Sequence, residues 1–391
     1  MDRAITASLR PTDPTIGAAL DATDHGPAPA LLLGGDVIGH ADLGARIRRL
    51  ARALLAQGLR RGQSVGVHMA PSVDRHAACA ALWWVGGVVV PLDPDLPPAR
   101  LMLALQGSGV GLVLHDAGRP GPGAALATIR HLTCADLLAL TPADPRDLSR
   151  RAALVQPAHP AALIYGEGEQ DTARGVVISQ QGLLTAARGL AARYAIAPGA
   201  RVSIPLSLNH AARLSGGLAT LIGGGALCEG AEGLPLSHLI LADSPADPMP
   251  PADLALHPAM LLVSGDARRI RALERTFPHS RIFNSYARAE LSGIALCSDP
   301  RDPAHTTHTT VGRPLKGVEV MIVNPATGMD MLLYEVGEIW IRGAPVMLRY
   351  HDDPPASRKA RDSSGFFKTG DMGYLDSEGR VILCRDAYAQ I

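Results

Sequence analysis

Aromatic side chains are scarce here, at 4% of the chain, and neither sign of charge dominates: 37 basic residues face 37 acidic ones. A balanced chain has no global electrostatic drive toward nucleic acid or an anionic membrane surface. No basic patch is interleaved with aromatics either, so nucleic acid is not an expected partner. Long apolar runs are also missing. The best, Ala80 to Leu92, is interrupted by Gly86 and Gly87 and ended by Pro91, too short to span a bilayer. The N-terminal MDRAITASLRPTD has no apolar core of a signal peptide. Five cysteines (Cys79, Cys134, Cys228, Cys297, Cys384) are scattered without a CxxC pair, the pattern of free thiols in a reducing cytoplasm. There is no GxSxG, no Walker motif, no internal repeat and no low-complexity tail.

What the chain does have is apolar content, 47% over 391 residues, enough for two or three packed units. In ADLGARIRRLARALLAQGLRRG, Leu43, Ile47, Leu50 and Leu54 recur at helical spacing and Gly58 stands as a C-terminal stop. SVGVHM (64–69) reads as a buried strand, followed by a helix from about Val73 to Trp84 and the strand VVVPLD (88–93). A helix at 97–107 and a strand at 111–116 continue the alternation. Residues 117–160, rich in Pro, Gly and Ala, read as a connection around one helical piece. Strands at 161–165 and 175–179, a helix at 180–194, a strand at 201–206, a helix after His210 and strands at 259–264 and 281–286 follow. Such alternation predicts an α/β fold, with mostly parallel sheets flanked by helices. After about residue 310 the pattern changes: VEVMIV (318–323), GEIWIRG (337–343) and RVILC (380–384) are short strands between turns, a small β-barrel-like unit.

One loop is chemically odd. In LIYGEGEQDTARGV (163–176) a strand runs into Gly166 and Gly168 and emerges at Arg174-Gly175, the outline of a phosphate-cradling turn, yet Glu167, Glu169 and Asp171 fill it. Their alternation resembles the start of a calcium loop, but the remaining ligands of such a loop are missing, and a solvated acidic turn fits better. A dinucleotide reading fails because Asp171 takes the third-glycine position. His305 and His308 in HTTHTT have helical ligand spacing but read as a Thr-rich loop without a carboxylate partner.

Several stretches together carry a family resemblance. LARALLAQGLRRGQSVGVHMAPSVDRHAACAALWWVGGVVVPLDPDLP, VGRPLKGVEVMIVNPATG, VGEIWIRGAPVMLRYH and GFFKTGDMGYLDSEGRVILCRD, in this order and spacing, are similar to the large N-terminal domain of the adenylate-forming superfamily: acyl-CoA synthetases, nonribosomal peptide adenylation domains and luciferases. The likeness runs from about residue 15 to the end. It implies an N-terminal domain at 1–384, made of two α/β subdomains (about 15–160 and 161–305) and a β-rich one (306–384). Residues 385–391 then open a hinge to a C-terminal domain that the sequence does not contain.

Members of this superfamily activate a carboxylic acid with ATP, forming an acyl-adenylate that passes to a thiol, of coenzyme A or of a carrier protein's phosphopantetheine. That chemistry brings anions together, so it needs Mg²⁺ on a carboxylate, backbone donors for phosphate and a cation on the developing charge. By resemblance, Asp371 in FKTGDMG accepts from the ribose hydroxyls; by pattern alone it is a turn residue between strands. SYARAE (285–290) aligns with YGxTE, which implies that Tyr286 stacks on adenine and Glu290 holds Mg²⁺, though Ala287 and Ala289 replace glycine and threonine. The pattern alone gives a core tyrosine and a surface glutamate. His210 resembles the histidine that opens a helix along the acyl pocket, where a lone histidine is otherwise structural, and Gly265, in Ser264-Gly265-Asp266, resembles the family's turn near adenine. Arg385 resembles an arginine that contacts ribose and phosphate.

The phosphate loop departs most from the family pattern YTSGTTGxPKG. Tyr165, Gly168, Arg174 and Gly175 match or substitute conservatively, while the hydroxyl donors have become Gly166, Glu167, Glu169 and Gln170. An ionised carboxylate only accepts hydrogen bonds, and each like-charge contact at about 6 Å and an effective dielectric of about 20 costs about 3 kcal/mol before screening. The expectation is therefore ATP-dependent activation of an apolar acyl or aryl acid, atypical at its phosphate grip. The alternatives are an adenylation-fold protein without productive ATP use, which binds an acyl or acyl-thioester ligand or serves as a partner subunit, and an ATP-independent acyltransferase using His210. Expected partners are a small carboxylic acid or acyl thioester, with a carrier protein or a separate C-terminal domain.

Overall fold

The computed structural model describes residues 14–23, 25–119, 121, 128–165, 174–230, 235–242 and 258–384. Valine-rich runs set the first sheet. Val88–Pro91 is buried along its whole length, which fits a central strand covered on both faces. It pairs in parallel with Ser64–His68, and the seven strands run in the order Arg349–Tyr350, Gly175–Ser179, Pro160–Tyr165, Val88–Pro91, Ser64–His68, Leu112–His115, Arg130–Thr133. The first two of these run antiparallel at one edge. A nine-stranded sheet takes Arg313–Pro314, Gly293–Cys297, Arg281–Arg288, Met260–Val263, His238–Leu241, Arg201–Ser203, Ala226–Glu229, Pro29–Leu33 and Asp36–Gly39 in that order. Its middle pairings are parallel and its two ends antiparallel. The α/β expectation is met, although sheet membership cuts across residue 160: Pro160–Tyr165 and Gly175–Ser179 join the sheet that holds Ser64–His68, and Pro29–Leu33 with Asp36–Gly39 edges the other.

Helices begin where the sequence supplies caps. Ser72 accepts from Arg75 N ahead of Val73–Val85, Ser179 from Gly182 N ahead of Gln180–Arg193, and Asp266 from Arg269 N ahead of Ala267–Thr276. Val73–Val85 ends on Gly86 at φ 77°, a left-handed stop that glycine takes without steric cost. This helix is apolar nearly all round because it lies between the two large sheets. Trp83 Nε1 donates to Ala161 O at 3.0 Å in one sheet, while Arg75 reaches Glu229 in the other. Burying each large apolar side chain here contributes about 1.5–3 kcal/mol.

The β-rich unit is a four-stranded antiparallel sheet, Val318–Val323, Gly337–Gly343, Phe367–Leu375 and Val381–Leu383. Its third strand passes through the FKTGDMG stretch, so Asp371 lies within a strand and not in a turn between strands. Two other expectations are corrected. The connection after residue 117 holds a strand, Arg130–Thr133, and two helices, Cys134–Ala139 and Pro145–Ala153; a Thr133–Asp136 capping box starts the first helix and Asp144 with Pro145 the second. The Thr-rich HTTHTT stretch winds into a 3₁₀ turn, Ala304–His308, and His308 Nε2 lies 3.0 Å from Glu274 Oε1, a carboxylate partner that sequence distance concealed.

Candidate active site

The strand Phe367–Leu375 pairs with Gly337–Gly343, but the register slips between Glu338 and Trp340. Thr369, Gly370 and Asp371 fill the slip as a bulge. Gly370 takes φ 76° and donates its N–H to Glu338 Oε1 at 2.9 Å. Thr369 Oγ1 donates to Ile339 O at 2.7 Å and accepts from Asp371 N at 3.1 Å. The bulge thereby turns the Asp371 carboxylate out of the small sheet toward the large one.

On the facing side, the strand Arg281–Arg288 has its own slip between Tyr286 and Ala287. Tyr286, only 7% exposed, donates its hydroxyl to Asp371 Oδ2 at 2.5 Å. Burial pushes this phenol well above its ordinary value, and the Asp371 charge adds to the effect against the pull of Arg288. The hydroxyl is therefore a donor throughout the physiological range.

Arg288 holds the centre. Its Nη1 donates to Asp371 Oδ2 at 2.8 Å and to Thr369 O at 2.9 Å, and its Nε lies 3.6 Å from Glu290 Oε2. Burial would lower the guanidinium's pKa, the neighbouring acids Glu290 and Asp371 raise it, and the net shift is upward. Glu290 sits on the 3₁₀ turn Ala289–Leu291, where its carbonyl accepts from Met347 N at 2.7 Å. Its Oε1 accepts from the Tyr350 hydroxyl at 3.0 Å. Arg174 in turn places its guanidinium 5.5 Å from the centre of the Tyr350 ring and donates from Nε to Asp353 Oδ2 at 3.0 Å. A continuous path of contacts thus runs Arg174–Tyr350–Glu290–Arg288–Asp371–Tyr286.

The fold therefore brings together four residues singled out from sequence: Arg174, Tyr286, Glu290 and Asp371. Gly265 is nearby, its N–H donating to Asn284 Oδ1 at 3.3 Å, two residues before Tyr286 on the neighbouring strand. Gly175 is closely packed: a Cβ there would come 2.8 Å from the Leu163 side chain and 2.9 Å from the Tyr165 ring, and its carbonyl accepts from His351 N at 2.6 Å. His210 caps the helix Ala211–Ile222, its Nδ1 accepting from Ala212 N at 3.2 Å, so a neutral ring carries its proton on Nε2. That helix packs on Arg281–Arg288 and Gly293–Cys297, and a Cβ at Gly293 would come 3.1 Å from the Ala211 carbonyl. Gly168, Arg385 and the three acids Glu167, Glu169 and Asp171 lie outside the described residues. Sequence reading missed Arg288, Tyr350 and Asp353. Arg288 occupies the open position of the YGxTE-like stretch, and a charged residue there was the available signal. Tyr350 and Asp353 carried none.

The groups implied by resemblance can be set against this geometry. Among the described residues Asp371 Oδ1 has no hydrogen-bond partner, and the side chain is 42% exposed, so the carboxylate can accept from the vicinal hydroxyls of a nucleoside. A divalent cation fits poorly. Glu290 Oε1 is engaged by Tyr350, Oε2 faces Arg288, and among the described residues no three His, Cys, Asp or Glu side chains come together as a metal cage.

Comparison with known proteins gives the context. A family model described as "AMP-binding enzyme" matches residues 19–243 and 252–351. Novobiocin biosynthesis protein H of Streptomyces niveus is 27% identical over 404 residues, covering 95% of this chain and 66% of that protein. Chondramide synthase of Chondromyces crocatus is also 27% identical, and the chain spans 10% of its length. The chain thus spans at most about two-thirds of these relatives. Among solved structures, a putative long-chain-fatty-acid CoA ligase from Rhodopseudomonas palustris superposes with TM-score 0.80 at 20% identity, over 95% of this chain and 99% of that one. O-succinylbenzoate coenzyme A synthetase of Bacillus subtilis, in complex with AMP, gives TM-score 0.77 at 20% identity, over 95% and 78%.

Proposed function

The chain belongs to the AMP-binding enzyme family, within the adenylate-forming superfamily, and from that premise we propose that it activates an apolar acyl or aryl carboxylic acid at the seam between Tyr286 and Asp371. The observation that supports this best is the Tyr286 hydroxyl on Asp371 Oδ2 at 2.5 Å, which fixes the carboxylate while leaving Oδ1 to accept from a ribose. The nucleotide supplies the leaving group that makes the acyl carbon electrophilic. Tyr286 presents its ring to the base, Asp371 orients the sugar, and Arg288 and Arg174 supply positive charge toward phosphate oxygens. His210, at the start of the helix Ala211–Ile222, stands toward the acyl group, and Gly265 lines the base side. The helix is rich in Ala, Gly and Leu, which suits an apolar substrate. The acyl acceptor in this reading is coenzyme A or a carrier-protein thiol.

Calorimetric titration with AMP is the test. Wild type binds, and Asp371→Asn, which keeps the shape and loses the charge, weakens AMP by on the order of tenfold, equivalent to about 1.4 kcal/mol. A folded wild type that shows no heat with millimolar AMP removes the reading. ATP–pyrophosphate exchange over a panel of apolar acids then separates activation from a second reading, an adenylation-fold protein without productive ATP use. The observation favouring that second reading is that Glu290 is already engaged by Tyr350 and Arg288. AMP binding with no exchange for any acid selects it.

A further inference from the structure

We propose that Arg288 is the resident cation of this site: its guanidinium takes the place of a divalent metal between Asp371 and Glu290, so that the wild-type site binds nucleotide without metal, and removing the guanidinium opens a divalent-cation site. The inference deepens the nucleotide reading and rests on it. Three observations carry it. Arg288 contacts both carboxylates, at 2.8 Å to Asp371 Oδ2 and 3.6 Å to Glu290 Oε2. Its fork is also anchored on the Thr369 carbonyl at 2.9 Å, so it is held on the bulge that presents Asp371. The oxygen of Glu290 that Arg288 does not face is taken by the Tyr350 hydroxyl at 3.0 Å. A hard cation needs several oxygen ligands with free lone pairs, and an arginine fork presents its own donors to both acids and supplies one fixed positive charge.

The charge count points the same way. Asp371, Glu290 and Arg288 sum to one net negative charge, and without Arg288 the two carboxylates it links keep, among the described residues, only tyrosine hydroxyls as side-chain partners. Two like charges at one site attract a cation or raise a pKa. With side chains 42%, 15% and 31% exposed, the site is open to a cation from solvent.

The experiment is a Mn²⁺ titration of the full chain followed by electron paramagnetic resonance, with AMP titrations of the same samples in EDTA and in Mg²⁺. Wild type takes up no Mn²⁺ beyond weak surface binding and binds AMP equally in both buffers. Arg288→Met gains one Mn²⁺ site tighter by on the order of tenfold, and the gain disappears in Arg288→Met/Glu290→Gln. Arg288→Lys, which restores the charge, behaves as wild type, a rescue that a purely structural role would not predict for the metal signal. Equal Mn²⁺ binding by wild type and Arg288→Met overturns the inference while AMP binding leaves the proposed function standing. AMP bound by neither protein overturns both. Should Arg288→Met not fold, the wild-type titration decides alone: one tight Mn²⁺, or AMP binding abolished by EDTA, ends the proposal, and metal-free AMP binding supports it.

Discussion

Two clusters in this molecule join arginine to carboxylate, and they are opposites. Between the large sheets, Arg75 Nη2 donates to both oxygens of Glu229 at 2.9 and 2.8 Å, Arg213 meets the same carboxylate, and His76 Nε2 lies 2.9 Å from it. One acid serves two arginines, with side chains only 5–7% exposed. At the seam with the small sheet, one arginine serves two acids in partial contact with solvent. Buried arginines cannot trade their shared carboxylate for a solute, so the cluster fastens the helices Val73–Val85 and Ala211–Ile222 to the strand Ala226–Glu229. An exposed excess of negative charge can exchange partners, which is what a ligand site requires. Burial raises the stakes in the first cluster: it lowers the Arg75 pKa and, with Arg75 alongside, brings Arg213 down to about 9, still charged at neutral pH.

The sharpest way to break this contrast is Glu229→Ala. Removing this acid leaves two desolvated guanidiniums without the carboxylate they share, and the expected loss of stability is about 3–5 kcal/mol. Urea denaturation measures it directly. A loss below about 1 kcal/mol, the range of exposed ion pairs, would mean that water reaches the cluster and that the contrast is not one of burial.

Acid tests the same cluster more gently, by adding a charge. Burial, then Arg75 and Arg213, hold the His76 pKa well below its ordinary 6.5, because two guanidiniums already share the one carboxylate it touches. In the folded protein His76 is neutral, whereas the unfolded chain takes up a proton near pH 6.5. The unfolded state then binds more protons, so stability is fully present above that pH and is lost as pH falls below it toward the folded value. Each unit of depression is equivalent to about 1.4 kcal/mol. Chemical denaturation between pH 8 and 5.5 shows the slope, and His76→Gln, which keeps a donor toward Glu229, flattens it. An unchanged slope would assign the acid sensitivity to other buried histidines, such as His238, whose pKa burial also lowers.

Much of the scaffold was legible because its signals are local. Heptad-like spacing from Leu43 to Leu54, the glycine stop at residue 58 and the apolar VVVP run are each set by neighbours in sequence. The third strand of the small sheet hid behind its own bulge, since Gly370 at φ 76° looks like a turn until its partner strand is known. Asp371 and Tyr286 could be named by motif, yet nothing in the motif said that they touch, 85 residues apart. Arg288 was visible and went unread because its meaning depends on which acids surround it. The 153-residue separation of His76 from Glu229 conceals the buried cluster for the same reason. Ion pairs that define each site are contacts of topology, and periodicity carries no information about them.

The smallest effect lies at the outer end of the seam path and tells the two clusters apart by salt. Arg174 is 56% exposed and pairs with Asp353 at 3.0 Å, the guanidinium lying over Tyr350. Arg174→Ala is expected to change stability by no more than about 0.5 kcal/mol, since Asp353 keeps its role as cap of the helix Pro354–Lys359 through Ala356 N. Raising the salt to about 1 M shortens the Debye length to about 3 Å, and the difference between wild type and Arg174→Ala then disappears. The Glu229→Ala deficit persists in the same salt, because ions do not enter the space between the sheets. Denaturation of both variants at low and high salt makes the comparison in one experiment. An Arg174 effect that survives high salt would place this arginine with the buried cluster, as a fixed part of the scaffold and not a charge free to turn toward a phosphate.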